Sequence, residues 1–167
     1  MNIIKPPRLH YDPLSTKDLS AACTFLHERH CSFYRQHLPV TQLRNNTRET
    51  FMRHLERRSS STWVARQGRK LVGLIVVTAN CIDDLWVAER FQRRGIGKQL
   101  LTTAIEHISN RGYGSAQAGI EDFNLPARWF FQQLGWRIIG SEHISLDRHK
   151  QVEALVFSLT LTKRANA

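Results

Sequence analysis

The residues best suited to chemistry lie in one turn, Gln92-Arg93-Arg94-Gly95-Ile96-Gly97, between an apolar strand and an amphipathic helix. The first N–H groups of a helix have no intrahelical partner, and the macrodipole adds about half a positive charge there. Gly95 and Gly97 carry no Cβ, so a ligand can come close to the main chain. Arg93, Arg94 and Lys98 bring three full charges. Such a turn binds phosphate or pyrophosphate; a plain structural turn with solvated arginines is the alternative. It is neither of the common nucleotide motifs. Gly97-Lys98 is followed by Gln99, with no glycine at P-loop distance before it, and Gly95-Ile96-Gly97 runs on into Lys98, Gln99 and Leu100, which does not complete a dinucleotide fingerprint.

The stretch also resembles the acyl-CoA-binding motif of the GNAT superfamily of N-acyltransferases. That motif has Gln or Arg, then Gly three residues on and Gly or Ala two further. Gln92, Gly95 and Gly97 match it, and Val87 stands at the strand-ending position five residues before Gln92. The family's second motif begins at an Asn and closes on Gly-Phe or Gly-Trp; Asn124, Ala127, Phe130, Phe131, Gly135 and Trp136 keep its spacings. The likeness is tight over residues 70–140 and loose before residue 60. It implies a mixed α/β (α+β) fold, with a mostly antiparallel sheet of six to seven strands and about four helices on both faces. Strands four and five splay apart, and acetyl-CoA lies in the opening. It further implies transfer of an acetyl group to a primary amine by direct attack in a ternary complex, with no metal. The cofactor would contact Leu85, Trp86 and Val87, the run Gln92, Arg93, Arg94, Gly95, Ile96, Gly97 and Lys98, and then Asn124, Ala127, Phe130 and Phe131. At Phe131 many family members have a Tyr that protonates the leaving thiolate. Phenylalanine cannot, so another group or water serves, or the thiolate leaves unprotonated. The chain could also be an acyl-CoA sensor with little turnover.

The attacking amine must be neutral, so a base removes its proton. The family often places that base on the strand before Val87. Side chains alternate across a strand, which puts Cys81, Asp83, Leu85 and Val87 on one face if no bulge intervenes. Asp83 is then the candidate base, through water, with Asp84 on the other face; a bulge would exchange the two. Pairing of Asp83 with an arginine is the structural alternative. Cys81 reads as an ordinary buried Cys. Glu121 and Asp122, just before the Asn124 cap, suit a cationic acceptor or simply the helix dipole. The variable segment 27–58 should wall the acceptor pocket. It contributes Tyr34 as a substrate-binding candidate, and its Arg35, Arg44, Arg48 and Arg53 hint at an acidic acceptor. His27 and His30 have helical spacing but no ligand set around them, so they read as a solvated helix end and not as a metal site.

These groups need elements to hold them. Residues 8–14 read as a first strand, and Ser15 to Asp18 resembles a capping box before Leu19, Ala22, Cys23 and Leu26 at helical spacing. Residues 27–46 look polar and irregular, broken at Pro39. Asn46-Thr47 opens a second helix with Phe51 and Leu55 inward. Residues 62–66 and 70–78 form a hairpin through Gln67-Gly68-Arg69, and the LVGLIVV run marks a strand buried on both faces. Strand 81–87, helix 95–111, strand 115–120, a helix capped by Asn124 with Pro126 in its first turn, and strands 136–144 and 151–161 complete a β-α-α-β-β-β-α-β-α-β-β order. The whole chain reads as one domain with a frayed tail from Lys163.

At 167 residues, 41% hydrophobic and 23% charged, the composition is that of a soluble globular chain. With no apolar run near the ~20 residues of a spanning helix and no signal core at the N-terminus, a cytoplasmic location is expected. The three widely spaced cysteines form no CxxC pair, which argues against a zinc site or a disulfide scaffold. Lys and Arg outnumber Asp and Glu by 24 to 14, a formal charge of +10. That favours anionic partners: CoA itself, or nucleic acid, which leaves open an acyltransferase acting on a nucleic-acid-associated or ribosomal target. No aromatic ladder for single-stranded bases accompanies the charge. Monomer and homodimer are both compatible with the sequence.

Overall fold

The structure, a computed structural model, describes residues 8–39, 47–145 and 151–162. Arg44, Asn46, the 146–150 part of the SLDRHK loop and the tail from Lys163 lie outside these residues. The elements follow the order read from the sequence: β1 (Leu9–Pro13), α1 (Leu19–Arg35), α2 (Arg48–Arg57), β2 (Thr62–Gln67), β3 (Lys70–Thr78), β4 (Cys81–Val87), α3 (Ile96–Asn110), β5 (Ser115–Glu121), α4 (Leu125–Gln133), β6 (Arg137–Ser145) and β7 (Gln151–Thr160). The seven strands form one sheet in the order β1-β2-β3-β4-β5-β7-β6. All neighbours are antiparallel except β4 and β5, which run parallel and meet only at Cys81 and Gln117. Beyond that rung the two strands part, so the splay expected between strands four and five is present.

The alternation of β3 divides the core. Leu74 and Val76 face one side, where Ala22, Cys23 and Leu26 of α1 and Phe51 and Leu55 of α2 cover them. Ile75 and Val77 face the other, under Ile96, Leu100, Leu101, Ala104 and Ile108 of α3, with Phe131 of α4 and Phe157 of β7 in the same cluster. Burying the stripe of α3 at roughly 1.5–3 kcal/mol per large aliphatic side chain fixes that helix, and with it the turn at its start.

Two details differ from the sequence reading. Helix α1 continues to Arg35, through residues read as irregular. Its buried stripe runs on past Leu26 because His30 replaces an aliphatic residue: its ring packs on Phe51 at 5.0 Å and Tyr34 at 4.4 Å between centroids. Hydropathy alone does not show an imidazole used this way. At the other end, Ser15 caps no backbone group; a 3-10 turn, Thr16–Asp18, precedes α1. The Ser15 hydroxyl donates to the Asp18 carboxylate, which also takes both terminal nitrogens of Arg66.

Candidate active site

The turn between β4 and α3 has the shape its composition calls for. Gly95 sits at φ 80°, as the left-handed N-cap of α3, a region open to glycine at little cost. Arg93 also lies in the left-handed region, at φ 61°, which few non-glycine residues adopt. Its guanidinium rests over the Trp129 ring at 5.1 Å, and that of Arg94 over Phe91 at 5.3 Å. The Gln92 side-chain amide donates to the Val87 carbonyl at 3.1 Å, tying the turn to the strand end. Gln99 N–H is the first to bond back into the helix, to Gly95 O at 3.0 Å. The amides of Ile96, Gly97 and Lys98 precede it and by helix geometry have no intrahelical acceptor. A Cβ on Gly97 would stand 3.5 Å from Phe130 and 3.7 Å from Val87, ordinary contact, so the fold itself does not demand glycine there.

A cavity of about 470 Å³ runs from this turn into the splay. It is lined by β4 from Ile82 to Val87, by Ala118 to Glu121 of β5, by Asn124, Ala127, Phe130 and Phe131 of the α4 region, and by His30 and Tyr34 of α1. All of the cofactor candidates named from the sequence except Arg94 line it. The residues present fit acetyl-CoA: unpaired amides and basic side chains at the mouth for phosphates, and a mostly apolar slot between the parted strands for the pantetheine. Asn124 caps α4 through Oδ1, accepting from Ala127 N–H at 3.3 Å, while its Nδ2 donates to Glu121 at 3.4 Å. Phe131 is 3% exposed. It stands edge-on to Trp136 at 4.9 Å and packs against Phe157, so it belongs to the core as well as to the cavity wall.

The simple alternation expected for β4 does not hold. Val76 pairs with Asp84 and Val77 with Ile82, so Asp83 is the extra residue of a bulge. Leu85 and Val87 therefore face the α3 side, while Asp84 and Trp86 face α1 and α2. Asp83 is held by Arg58 Nε at 3.0 Å and by the Thr78 hydroxyl. Asp84 accepts from His54 Nε2 at 2.8 Å and from Trp86 Nε1 at 3.1 Å. Burial pushes its carboxyl up, but the His54 hydrogen bond and charge, with the Trp86 indole, outweigh burial and hold it below the usual carboxylate range.

On the α1 side, burial lowers the His30 imidazole to about 4, against the pull of the Asp84 charge. The Tyr34 hydroxyl donates to Glu121; burial first, then that carboxylate's charge, drive the phenol far above its ordinary range, so it stays protonated. Asp122 is not brought into the cavity. The chain turns as β5 ends at Glu121, Asp122 N–H bonds to Glu153 O at 3.0 Å, and the Asp122 side chain is exposed. His30 and His54 were not legible as site residues; a helical register extended one turn past Leu26 would have pointed to His30. Among the described residues, Arg93 and Lys98 of the turn are the arginine and lysine that line the cavity, Arg35, Arg48 and Arg53 do not line it, and its α1 end carries Asp83, Asp84 and Glu121.

A glycine-bearing turn at a helix start opens here into a slot between two parted parallel strands, a shape that suits an acyl-CoA. The chain belongs to the acetyltransferase (GNAT) family, whose sequence profile matches residues 21–136. Human N-acetyltransferase 8 is 28% identical over 99 residues, 52% of this chain and 43% of that protein. An L-ornithine N5-acetyltransferase of Arabidopsis thaliana is 32% identical over 57 residues, 34% of this chain and 25% of that protein. The matches thus span less than half the length of these relatives. Among solved structures, the ribosomal-protein-S18-alanine N-acetyltransferase of Escherichia coli superposes with a TM-score of 0.69 at 19% identity, over 95% of this chain and 97% of that one. The yncA protein of Salmonella typhimurium, solved with its cofactor acetyl-CoA, gives 0.70 at 15% identity, over 95% and 96%. At such identities the likeness is one of fold.

Proposed function

We propose that the chain is an N-acetyltransferase that moves the acetyl group of acetyl-CoA to a primary amine by direct attack. The observation that carries this reading is the turn: a left-handed Gly95 and a basic helix start open onto the splay in a chain of this family. The pyrophosphate rests on the amides of Ile96 to Lys98 with Arg93 beside it, and the acyl end reaches between β4 and β5. The amine enters from the α1 and α2 side, between His30, Tyr34 and Glu121. Of the two aspartates at the bulge, both are paired, Asp83 with Arg58 and Asp84 with His54, and Asp84 is the better-placed base because it faces that side. The ammonium gives a first proton to Asp84 through water, the neutral nitrogen attacks the thioester carbon, and the C–S bond breaks to release CoA, the second nitrogen proton passing through water to the departing thiolate. Mixing acetyl-CoA with a panel of amines and reading free thiol tests the reading; expected is amine-dependent thiol release without added metal.

One observation favours a second reading, an acyl-CoA sensor with little turnover. Phe131 is packed among Trp136 and Phe157 where the family often carries a tyrosine. Tight acetyl-CoA binding without thiol release for any amine would support that reading. Nothing in the cavity favours a nucleic-acid-linked target beyond the net charge.

A further inference from the structure

We propose that Glu142 is a specificity-determining residue: with Glu121 it forms an anionic lobe at the acceptor end of the cavity that selects a primary amine carrying a second ammonium group. This rests on the acetyl-transfer reading and names the substrate class of the same site.

The sheet register places the two acids. Glu121 of β5 pairs with Ala154 of β7, and Ala154 pairs in turn with Glu142 of β6. Residues in one row across a sheet point to one face, so both carboxylates stand on the side where Tyr34 meets Glu121. Two strand spacings put their backbones about 10 Å apart. Ala154 between them is small and buried, so no side chain fills the gap in the row. Glu142 then leans back across the row toward β5. A Cβ at the cavity-lining Gly119 would collide with its carboxylate. The missing side chain at 119 is what lets an acid from β6 reach the rim of the cavity.

The charge of this lobe is felt nearby. Burial raises the Cys81 thiol, and the charges of Asp83 and Glu142 add to it, so acids stand on both sides of the splay. Neither Glu121 nor Glu142 has an ion-pair partner among the described residues. Two carboxylates on one face repel, and a bound cation relieves that repulsion. Next to the cavity, Phe33 stacks on Phe123 at 6.0 Å and touches the cavity-lining Trp86 at 5.6 Å between centroids. Aromatic faces accept both an alkyl chain and an ammonium group. An amine with one charge would use only the reacting end; a diamine would also fill the lobe.

The test is calorimetry on the full protein saturated with CoA, which permits no turnover. 1,5-Diaminopentane and n-pentylamine have the same reach and differ by one charge. The Glu142 side chain is exposed, so the diamine should bind up to about fivefold tighter, the size of one exposed ion pair. Glu142→Gln should remove most of that preference and leave CoA affinity unchanged. Gly119→Ala, which displaces the carboxylate while keeping it, should do the same. Equal binding of the two amines, or a preference that survives Glu142→Gln, overturns the proposal, as does binding of CoA with neither amine. Failure of CoA itself to bind would sink the acetyl-transfer reading instead, and the same amine pair titrated into the unloaded protein would then decide the lobe.

Discussion

His54→Ala puts a definite load on the site. Asp84 is mostly buried, its side chain 12% exposed, and is ionised because two donors hold it, His54 Nε2 at 2.8 Å and Trp86 Nε1 at 3.1 Å. Removing one partner of a buried charge pair typically costs about 3–5 kcal/mol. His54 is a quarter exposed, so water can partly replace it, and about 3 kcal/mol is the reasonable figure. For a chain of this length that corresponds to a fall in Tm of about 6–12 °C. The loss must depend on pH. In the wild type the Asp84 carboxyl is held low, so its contribution is present above the unfolded carboxylate value, near 3.9, and is lost as pH falls through the folded one. In the variant, burial is no longer outweighed and the carboxyl rises. Protonation then relieves the strain at acid pH, so the deficit against wild type should be full at pH 8 and smaller near pH 4, where the wild-type carboxylate is still ionised and keeps part of its contribution. Adding Asp84→Asn removes the stranded charge, and the double variant should be more stable than His54→Ala alone at pH 8. Melting curves of the three proteins from pH 4 to pH 8 test this. A deficit that does not change with pH, or no recovery in the double variant, would refute the account of Asp84 as a buried anion.

Three further outcomes are expected. Asp84→Asn should lower the amine-dependent rate by about 10²-fold or more with acetyl-CoA affinity unchanged, whereas Asp83→Asn should cost at most about 1 kcal/mol of stability by freeing Arg58; initial rates and calorimetry separate the two. Phe131→Tyr places a hydroxyl among Phe130, Trp136 and Phe157; if no polar partner is met, stability falls by about 1–3 kcal/mol and the rate stays put, while a retained Tm with a faster rate would show that the hydroxyl reaches the sulfur. His30 takes a proton in the unfolded chain near pH 6.5 but in the folded one only at about 4, so stability should fall by up to about 3 kcal/mol as pH drops across that window, and His30→Gln should flatten this part of the profile in melting curves.

Much of the fold could be read in the chain because its signals were local and repeated. The α3 stripe, the LVGLIVV run, the Asn124 cap and the two glycines each point to one backbone state, and together they order the elements. What could not be read depended on partners distant in sequence. The β4 bulge is set by how Val76 and Val77 meet Asp84 and Ile82, and no composition rule marks it; alternation alone made Asp83 the base candidate. His30 and His54 look polar in isolation and gain their roles only beside Phe51 and Asp84. Glu142 is legible only once Gly119 is known to lie beneath it. The roles proposed for the turn residues rest on the shape of the turn and the family's motif.

The central claim is that the 92–98 turn holds the phosphates of acetyl-CoA. Calorimetry of acetyl-CoA against the wild type and Gly97→Val tests it most directly. The first Cβ at 97 meets Phe130 and Val87 at ordinary contact distance, so the variant should keep a Tm close to wild type while its branched side chain crowds the cavity mouth and the first amides of α3. The account predicts micromolar-class binding to the wild type and a loss of at least about tenfold, about 1.4 kcal/mol, in the variant. Unchanged affinity in a folded Gly97→Val protein would contradict it.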